Sequence, residues 1–103
     1  MDPTPLALDA FQKLISARYE SADRARGTDG TFVYFVEEVG ELARAIARRN
    51  KEGPDRAKDR ANLEEEFADV LAWLCTLANI NDVNLTEAVR RKYLGSDAPQ
   101  GAK

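Results

Sequence analysis

Two long segments of the chain combine a helical pattern of apolar residues with a short acidic motif. In each segment, large apolar residues recur every three or four positions, as on the buried face of an α-helix. The first segment contains Glu-Glu-Val-Gly-Glu at residues 37–41, and the second contains Glu-Glu-Glu-Phe-Ala-Asp at residues 64–69. Because both motifs border an apolar face, the pattern predicts two helices that pack together with carboxylates beside their interface.

The whole sequence predicts an all-α fold, a compact bundle of four helices. The helices are expected at residues 6–23, 31–50, 56–81 and 85–94. Glycine-containing turns at residues 24–30 and 51–55 separate the first three helices. Asn84, followed three residues later by Glu87, is typical of a capped helix start. The two long central helices would carry the acidic motifs.

The length of 103 residues predicts a single domain, with its core at residues 6–94 and a flexible tail at 95–103. The third predicted helix is apolar on nearly all sides from Val70 to Ile80, as a helix buried on most of its surface would be. A chain this short offers few partners to such a helix. We therefore expect an obligate homo-oligomer, either a homodimer or a dimer of dimers.

Composition excludes several kinds of site. The chain has no histidine, so His-based triads and nearly all zinc or non-haem iron sites are ruled out. Cys75 is the sole cysteine, so an intrachain disulfide is impossible, which suits a cytoplasmic location. The net charge of −3 argues against a nucleic-acid polymer as partner. No apolar run is long enough to cross a membrane.

The spacing of the acids predicts a cation site. Glu38 and Glu41 are three positions apart, as are Glu66 and Asp69, so each pair shares one side of a helix. If the helices pack antiparallel, these four carboxylates converge, with Glu37 alongside. Two like charges about 4 Å apart repel by about 4 kcal/mol at an effective dielectric of about 20. The carboxylates therefore need raised pKa values or a bound divalent cation. Because the ligands are oxygen atoms, the cation expected is Mg²⁺, with Mn²⁺ as the alternative.

Two simpler interpretations remain open from the spacing alone. The acids could be solvated helix faces, since glutamate is a good helix former and charged pairs are common. The protein could also be a non-catalytic helical dimer that serves as an interaction or metal-binding module.

Trp73 lies four residues after Asp69 and could stack on a base, or it could belong to the core or a dimer interface.

The combined motif resembles a known family. Glu-Glu-x-x-Glu at residues 37–41, followed by Glu-x-x-Asp at residues 66–69, is similar to the signature of the MazG-like, all-α nucleoside triphosphate pyrophosphohydrolases. The flanking apolar residues, and the segment from Asp82 to Tyr93, also resemble the family. The similarity extends over about residues 8–94.

The resemblance implies a magnesium-dependent enzyme that cleaves a nucleoside triphosphate between its α and β phosphates, in a nucleotide-pool or house-cleaning role. A phosphoribosyl-ATP pyrophosphohydrolase on the same scaffold is the related alternative. The implied metal ligands are Glu38, Glu41, Glu66 and Asp69. Glu37 matches the first acid of the motif, which would bind a second metal or orient the attacking water. Lys92 matches a lysine near the phosphates, and Trp73 is the candidate for contact with the base.

Overall fold

Every regular element that the computed structural model describes is helical. The structure describes residues 5–49 and 52–95, and within these ranges there is no strand. The elements are α1 (Leu8–Arg48), α2 (Arg56–Ile80), α3 (Leu85–Val89) and a π-helical segment (Arg90–Leu94) that continues α3. The prediction of an all-α fold is confirmed. The tail expected at residues 95–103 lies, beyond Gly95, outside the described residues.

The prediction of four helices was wrong, because the first two predicted helices are parts of the single helix α1. The chain leaves helical geometry at Gly27 alone, where φ is 83° and ψ is 172°, and α1 is kinked there. Glycine is essentially the only residue that adopts this backbone region. The turn expected at residues 24–30 is thus reduced to one residue, and it divides α1 into a first arm (residues 8–26) and a second arm (residues 28–48).

A side-chain hydrogen bond spans the break in α1. Arg26 Nη2 donates to Asp23 Oδ1 at 2.6 Å, and Arg26 Nε donates to Thr31 Oγ1 at 3.0 Å. Asp23 and Thr31 are both buried and lie on opposite sides of Gly27. The Arg26–Thr31 bond joins the two arms, and the bond to Asp23 holds Arg26 in the first arm. Polar residues that suggested a loop are thus accommodated within helix.

The core lies between α1 and α2. The two helices make the main tertiary interface, and the short connection between them makes the second arm antiparallel to α2. Its buried apolar residues come from both arms and from the whole length of α2: Ile15, Ala45, Leu63, Cys75 and Ala78. The predicted bounds of α2, residues 56–81, agree with the structure to within one residue.

Gln12 ties the first arm to the turn that follows α2. Its Nε2 donates to Asn79 Oδ1 at 3.0 Å and to the Val83 carbonyl at 2.7 Å, and its Oε1 accepts from the Leu85 amide at 3.0 Å. Next to this junction, the Glu87 amide donates to Asn84 Oδ1 at 3.1 Å, as the predicted cap requires. The end of α2 and the start of α3 are therefore fixed against the amino-terminal part of α1.

Large apolar side chains remain exposed on the single chain. Phe32 is 54% exposed, Phe67 is 56% exposed, and Leu71 and Leu74 are each 40% exposed. The extensive burial predicted for α2 is therefore not reached within one chain. No helix in residues 5–49 and 52–95 has the length and apolar character needed to cross a membrane.

Candidate metal centre

Three of the predicted acids meet between the second arm of α1 and α2. One carboxylate oxygen from each of Glu38, Glu66 and Asp69 lies within 4.8 Å of the other two, and we refer to these residues as the acid cluster. Glu38 and Glu66 are half-buried, whereas Asp69 is exposed. The antiparallel packing expected from the sequence is what brings the two motifs together.

Glu66 is the least solvated member of the acid cluster. Its Oε2 is inaccessible to solvent and has no hydrogen-bond partner among the described residues. Burial raises the pKa of Glu66 above its ordinary value, and the neighbouring Glu38 carboxyl raises it further, followed by the charges of Asp69 and Glu41. A buried, unpaired carboxylate oxygen is costly. A cation held between the three carboxylates would remove that cost, so these residues fit a divalent metal with oxygen ligands.

Glu41 and Glu37 lie outside the acid cluster. Glu41 Oε2 is 3.6 Å from Arg44 Nη1, and the Glu41 side chain is about half exposed. Its charge nevertheless contributes to the raised pKa of Glu66, so it is close enough to act on the cluster. Glu37 is exposed and makes no side-chain hydrogen bond or ion pair within the described part of the chain. The structure therefore gathers three of the four expected ligands and leaves the fourth at the margin.

A cleft of about 430 Å³ begins at the acid cluster and runs between the first arm of α1 and α2. Asp69 belongs to both the cluster and the cleft wall. The other side chains that line the cleft and matter for its chemistry are Tyr19, Asp23, Arg26, Trp73 and Thr76. This juxtaposition of a carboxylate cluster and a partly apolar cavity is typical of a small-molecule site.

Trp73 lines this cleft but is not a free ring. It stacks on Tyr34, with ring centres 5.4 Å apart and an angle of 18° between the planes. The guanidinium carbon of Arg26 lies 5.1 Å from the centre of the Trp73 ring and 5.5 Å from that of Tyr34. Trp73 thus packs within the chain, as one of the two interpretations from sequence expected, and its stacking on a base stays a prediction.

Lys92 does not line the cleft. It lies in a separate shallow depression with Asp82, Asn84 and Arg91, and this depression shares no lining residue with the cleft at Asp69. The Lys92 ammonium is 5.5 Å from the ring of Tyr93. Within one chain, the structure does not bring Lys92 together with the acid cluster.

Sequence reasoning missed three residues of the cleft: Asp23, Arg26 and Thr76. Asp23 is only 5% exposed, and both of its oxygens are occupied, because Arg26 donates to Oδ1 and Thr76 Oγ1 donates to Oδ2 at 3.1 Å. A signal was present in the sequence. Asp23 follows Ile15 and Tyr19 at intervals of four, so a carboxylate continues the apolar face of the first predicted helix.

The fold and the acid cluster place the chain among all-helical proteins with a carboxylate-rich site between two helices. Residues 27–93 match the family model of the MazG nucleotide pyrophosphohydrolase domain. This match extends over more than half of the chain, so the chain belongs to that family. Members of the family are nucleoside triphosphate pyrophosphohydrolases that depend on a divalent metal.

A relative in Bacillus subtilis (strain 168), the uncharacterised protein YpjD, is 49% identical to the chain over 54 residues. The aligned part is 52% of this chain and 49% of the relative. The chain thus spans about half the length of that relative. The resemblance stated from the acidic motifs is confirmed at the level of the family.

Proposed function

We propose that this chain is a nucleoside triphosphate pyrophosphohydrolase that uses Mg²⁺, with Mn²⁺ as a substitute. Water attacks the α phosphorus, the bond from that phosphorus to the bridging oxygen breaks, and pyrophosphate leaves, so that a nucleoside monophosphate remains. The observation that carries this proposal is the acid cluster. Three carboxylates from two helices have one oxygen each within 4.8 Å of one another, and the buried Oε2 of Glu66 has no hydrogen-bond partner in residues 5–49 and 52–95.

The acidic residues have distinct roles in this proposal. Glu38, Glu66 and Asp69 hold the cation, and Glu41 joins them by giving up its ion pair with Arg44. When bound, the cation supplies charge neutralisation at the phosphates and Lewis acidity. Glu37 is exposed next to Glu38, and we assign it the orientation of the attacking water.

Two further residues contact the substrate in the proposal. We assign Trp73 to the nucleoside part of a triphosphate whose phosphates lie at the cluster, and the support is that Trp73 and Asp69 line the same cleft. Lys92 is assigned to the phosphates by the sequence resemblance alone, because its side chain lies outside the cleft. Replacement of Lys92 by alanine would then raise KM with a smaller effect on kcat.

We also propose that the functional unit is a homodimer or a dimer of dimers, located in the cytoplasm. The exposed apolar side chains of Phe32 and Val36 on α1, and of Phe67, Leu71 and Leu74 on α2, support self-association. Sedimentation equilibrium would measure the oligomeric state directly. A monomer at micromolar concentration would refute this part of the proposal and leave the assignment of the acids unaffected.

A screen of nucleoside triphosphates, with and without Mg²⁺, tests the activity. We expect at least one triphosphate to give equal amounts of monophosphate and pyrophosphate, and only when metal is added. Glu66→Gln should abolish the activity, whereas Glu65→Gln, on the exposed neighbour, should leave it unchanged. Release of orthophosphate would contradict attack at the α phosphorus. Phosphoribosyl-ATP belongs in the screen, because its cleavage also releases pyrophosphate, and failure on every substrate would favour a non-catalytic metal-binding module.

A further inference from the structure

The cleft beside the acid cluster has one fixed cationic side chain. Arg26 lines the cleft, and its side chain is 26% exposed. Its guanidinium is held by Asp23 and Thr31, and it lies against the ring of Trp73. An arginine so restrained has already lost most of its side-chain freedom, so a ligand that it binds need not immobilise it.

The two edges of the Arg26 guanidinium differ in whether their N–H groups already donate hydrogen bonds within the chain. Nε and one N–H of Nη2 form the side edge, and these donate to Thr31 Oγ1 and Asp23 Oδ1. The end edge consists of Nη1 and the second N–H of Nη2. Within residues 5–49 and 52–95, Nη1 makes no hydrogen bond. Arg26 therefore retains a pair of parallel donors, and it has no acceptor to offer.

Asp23 makes this arrangement rigid. The carboxylate is buried, and its two oxygens are taken by Arg26 and by Thr76 of α2. Each Asp23 oxygen already accepts one hydrogen bond and the side chain is only 5% exposed, so Asp23 serves mainly to hold Arg26. Arg26 therefore contributes to the cleft a pair of hydrogen-bond donors whose geometry is fixed.

We propose that this cleft binds the base of the nucleotide and that Arg26 makes it selective for 6-oxopurines, namely guanine, hypoxanthine and xanthine. A guanidinium fork matches two adjacent acceptors, and the O6 and N7 atoms of a 6-oxopurine are such a pair. Adenine has an amino group in place of O6, so a hydrogen-bond donor of the base would face a donor of Arg26. This inference rests on the proposed function, because it takes the substrate to be a nucleotide with its phosphates at the acid cluster.

Binding can be measured without catalysis, because Trp73 is the only tryptophan of the chain. Quenching of its fluorescence would report a base entering the cleft. In metal-free titrations, inosine monophosphate should bind about tenfold more tightly than adenosine monophosphate, in line with the value of one bidentate arginine contact. The two ligands share N7 and differ at the 6-substituent that Arg26 would read and at N1, which carries a proton in hypoxanthine and none in adenine.

Arg26→Lys is the variant that tests the residue. Lysine keeps the positive charge beside Asp23 but lacks the fork, so the preference for inosine over adenosine monophosphate should fall to about unity. Arg18→Lys, on an exposed residue of the same arm, is the matched control and should keep the preference. Circular dichroism and the melting temperature would establish that both variants are folded.

The outcomes separate this inference from the proposed function. Equal binding of the two monophosphates by the unaltered chain would overturn the inference, even if Arg26→Lys failed to fold. A preference that survives in folded Arg26→Lys would also overturn it. If pyrophosphate is released from triphosphates without regard to the base, the proposed function stands and the inference fails. If inosine monophosphate is preferred but no triphosphate is cleaved, the base subsite stands and the activity fails.

Discussion

Thr76 of α2 donates a hydrogen bond to the buried carboxylate of Asp23 in α1, with an oxygen–oxygen distance of 3.1 Å. The other oxygen of Asp23 accepts from Arg26 at 2.6 Å. The position of the Arg26 guanidinium in the cleft therefore depends on a residue of the facing helix. The same contact connects the helix that supplies Glu66 and Asp69 to the arm that forms the opposite wall of the cleft.

We expect Thr76→Val to lower the free energy of unfolding by about 2 kcal/mol, because it removes a donor to a buried, charged acceptor. Valine has nearly the shape of threonine, so little packing is lost. Urea denaturation followed by circular dichroism would measure the change. Ser21→Ala, at an exposed position whose hydroxyl makes no hydrogen bond within the described part of the chain, is the control and should stay within about 0.5 kcal/mol of the unaltered chain. Equal effects of the two substitutions would contradict a specific role for the contact with Asp23.

Two glycines of α1 should respond in opposite ways to alanine. Gly27 has φ of 83°, so Gly27→Ala forces a side chain into a strained conformation and should destabilise the fold by about 2 kcal/mol. Gly40 lies in regular helix, and beyond its own helical turn and chain neighbours an added Cβ would meet no described atom within 4 Å, so Gly40→Ala should stabilise the single chain by about 0.5–1 kcal/mol. Thermal denaturation of both variants provides the comparison. A stabilised Gly27→Ala protein would show that the kink is not a fixed feature.

Mg²⁺ should stabilise the folded chain through the acid cluster. At about a hundred times its dissociation constant, a ligand that binds only the folded state adds about 2.7 kcal/mol to the free energy of unfolding. Glu38→Gln should remove this gain, since Glu38 is the member of the cluster contributed by α1. Differential scanning calorimetry with and without Mg²⁺ would measure it, with Glu65→Gln as the exposed control. A gain that persists in Glu38→Gln would remove Glu38 from the metal site.

Cys75 should resist alkylation while the chain is folded. The side chain is fully buried, and burial raises the pKa of its thiol above the ordinary value of 9.0. At a pH between the unfolded and the native pKa, the thiol is therefore protonated in the native chain and ionised in the unfolded chain. The resulting stability is present below pH 9 and is lost as the pH rises through the higher native pKa.

Iodoacetamide labelling followed by mass spectrometry would measure this protection at pH 8. Labelling should be slow in buffer and fast in concentrated urea. A Cys75→Ala variant should show a flatter dependence of stability on pH above pH 9. Rapid labelling of the native chain would mean that α2 opens locally around Cys75.

The sequence was sufficient to predict the helical class, the extent of α2 and the meeting of two acidic motifs. These features follow from periodicity and from spacing within single helices, which are local properties. The boundary between the first two predicted helices was wrong because glycine and polar residues usually indicate a loop. At Gly27 the conformational freedom of one residue absorbs the whole change of direction, and Arg26 satisfies the polar groups on both sides.

The cleft could not be predicted in the same way. It depends on which residue of α2 faces Asp23, and that pairing spans more than fifty positions of the chain. Lys92 stays a prediction, because its assignment to the phosphates rests on the sequence resemblance and its side chain lies outside the cleft in one folded chain. The local sequence pattern was enough to identify the carboxylates. The environment of Arg26 exists only once two helices pack together, so it could not be predicted from that pattern.

The match to the family begins at Gly27, the residue where α1 is kinked. The acid cluster lies entirely after this glycine, whereas Tyr19, Asp23 and Arg26 of the cleft wall lie before it. A single backbone joint thus separates the arm that carries Tyr19, Asp23 and Arg26 from the part of the chain that carries the acid cluster. A change in the φ and ψ of Gly27 would therefore alter the width of the cleft, which lies between the first arm and α2, while the distances among the three carboxylates stay the same.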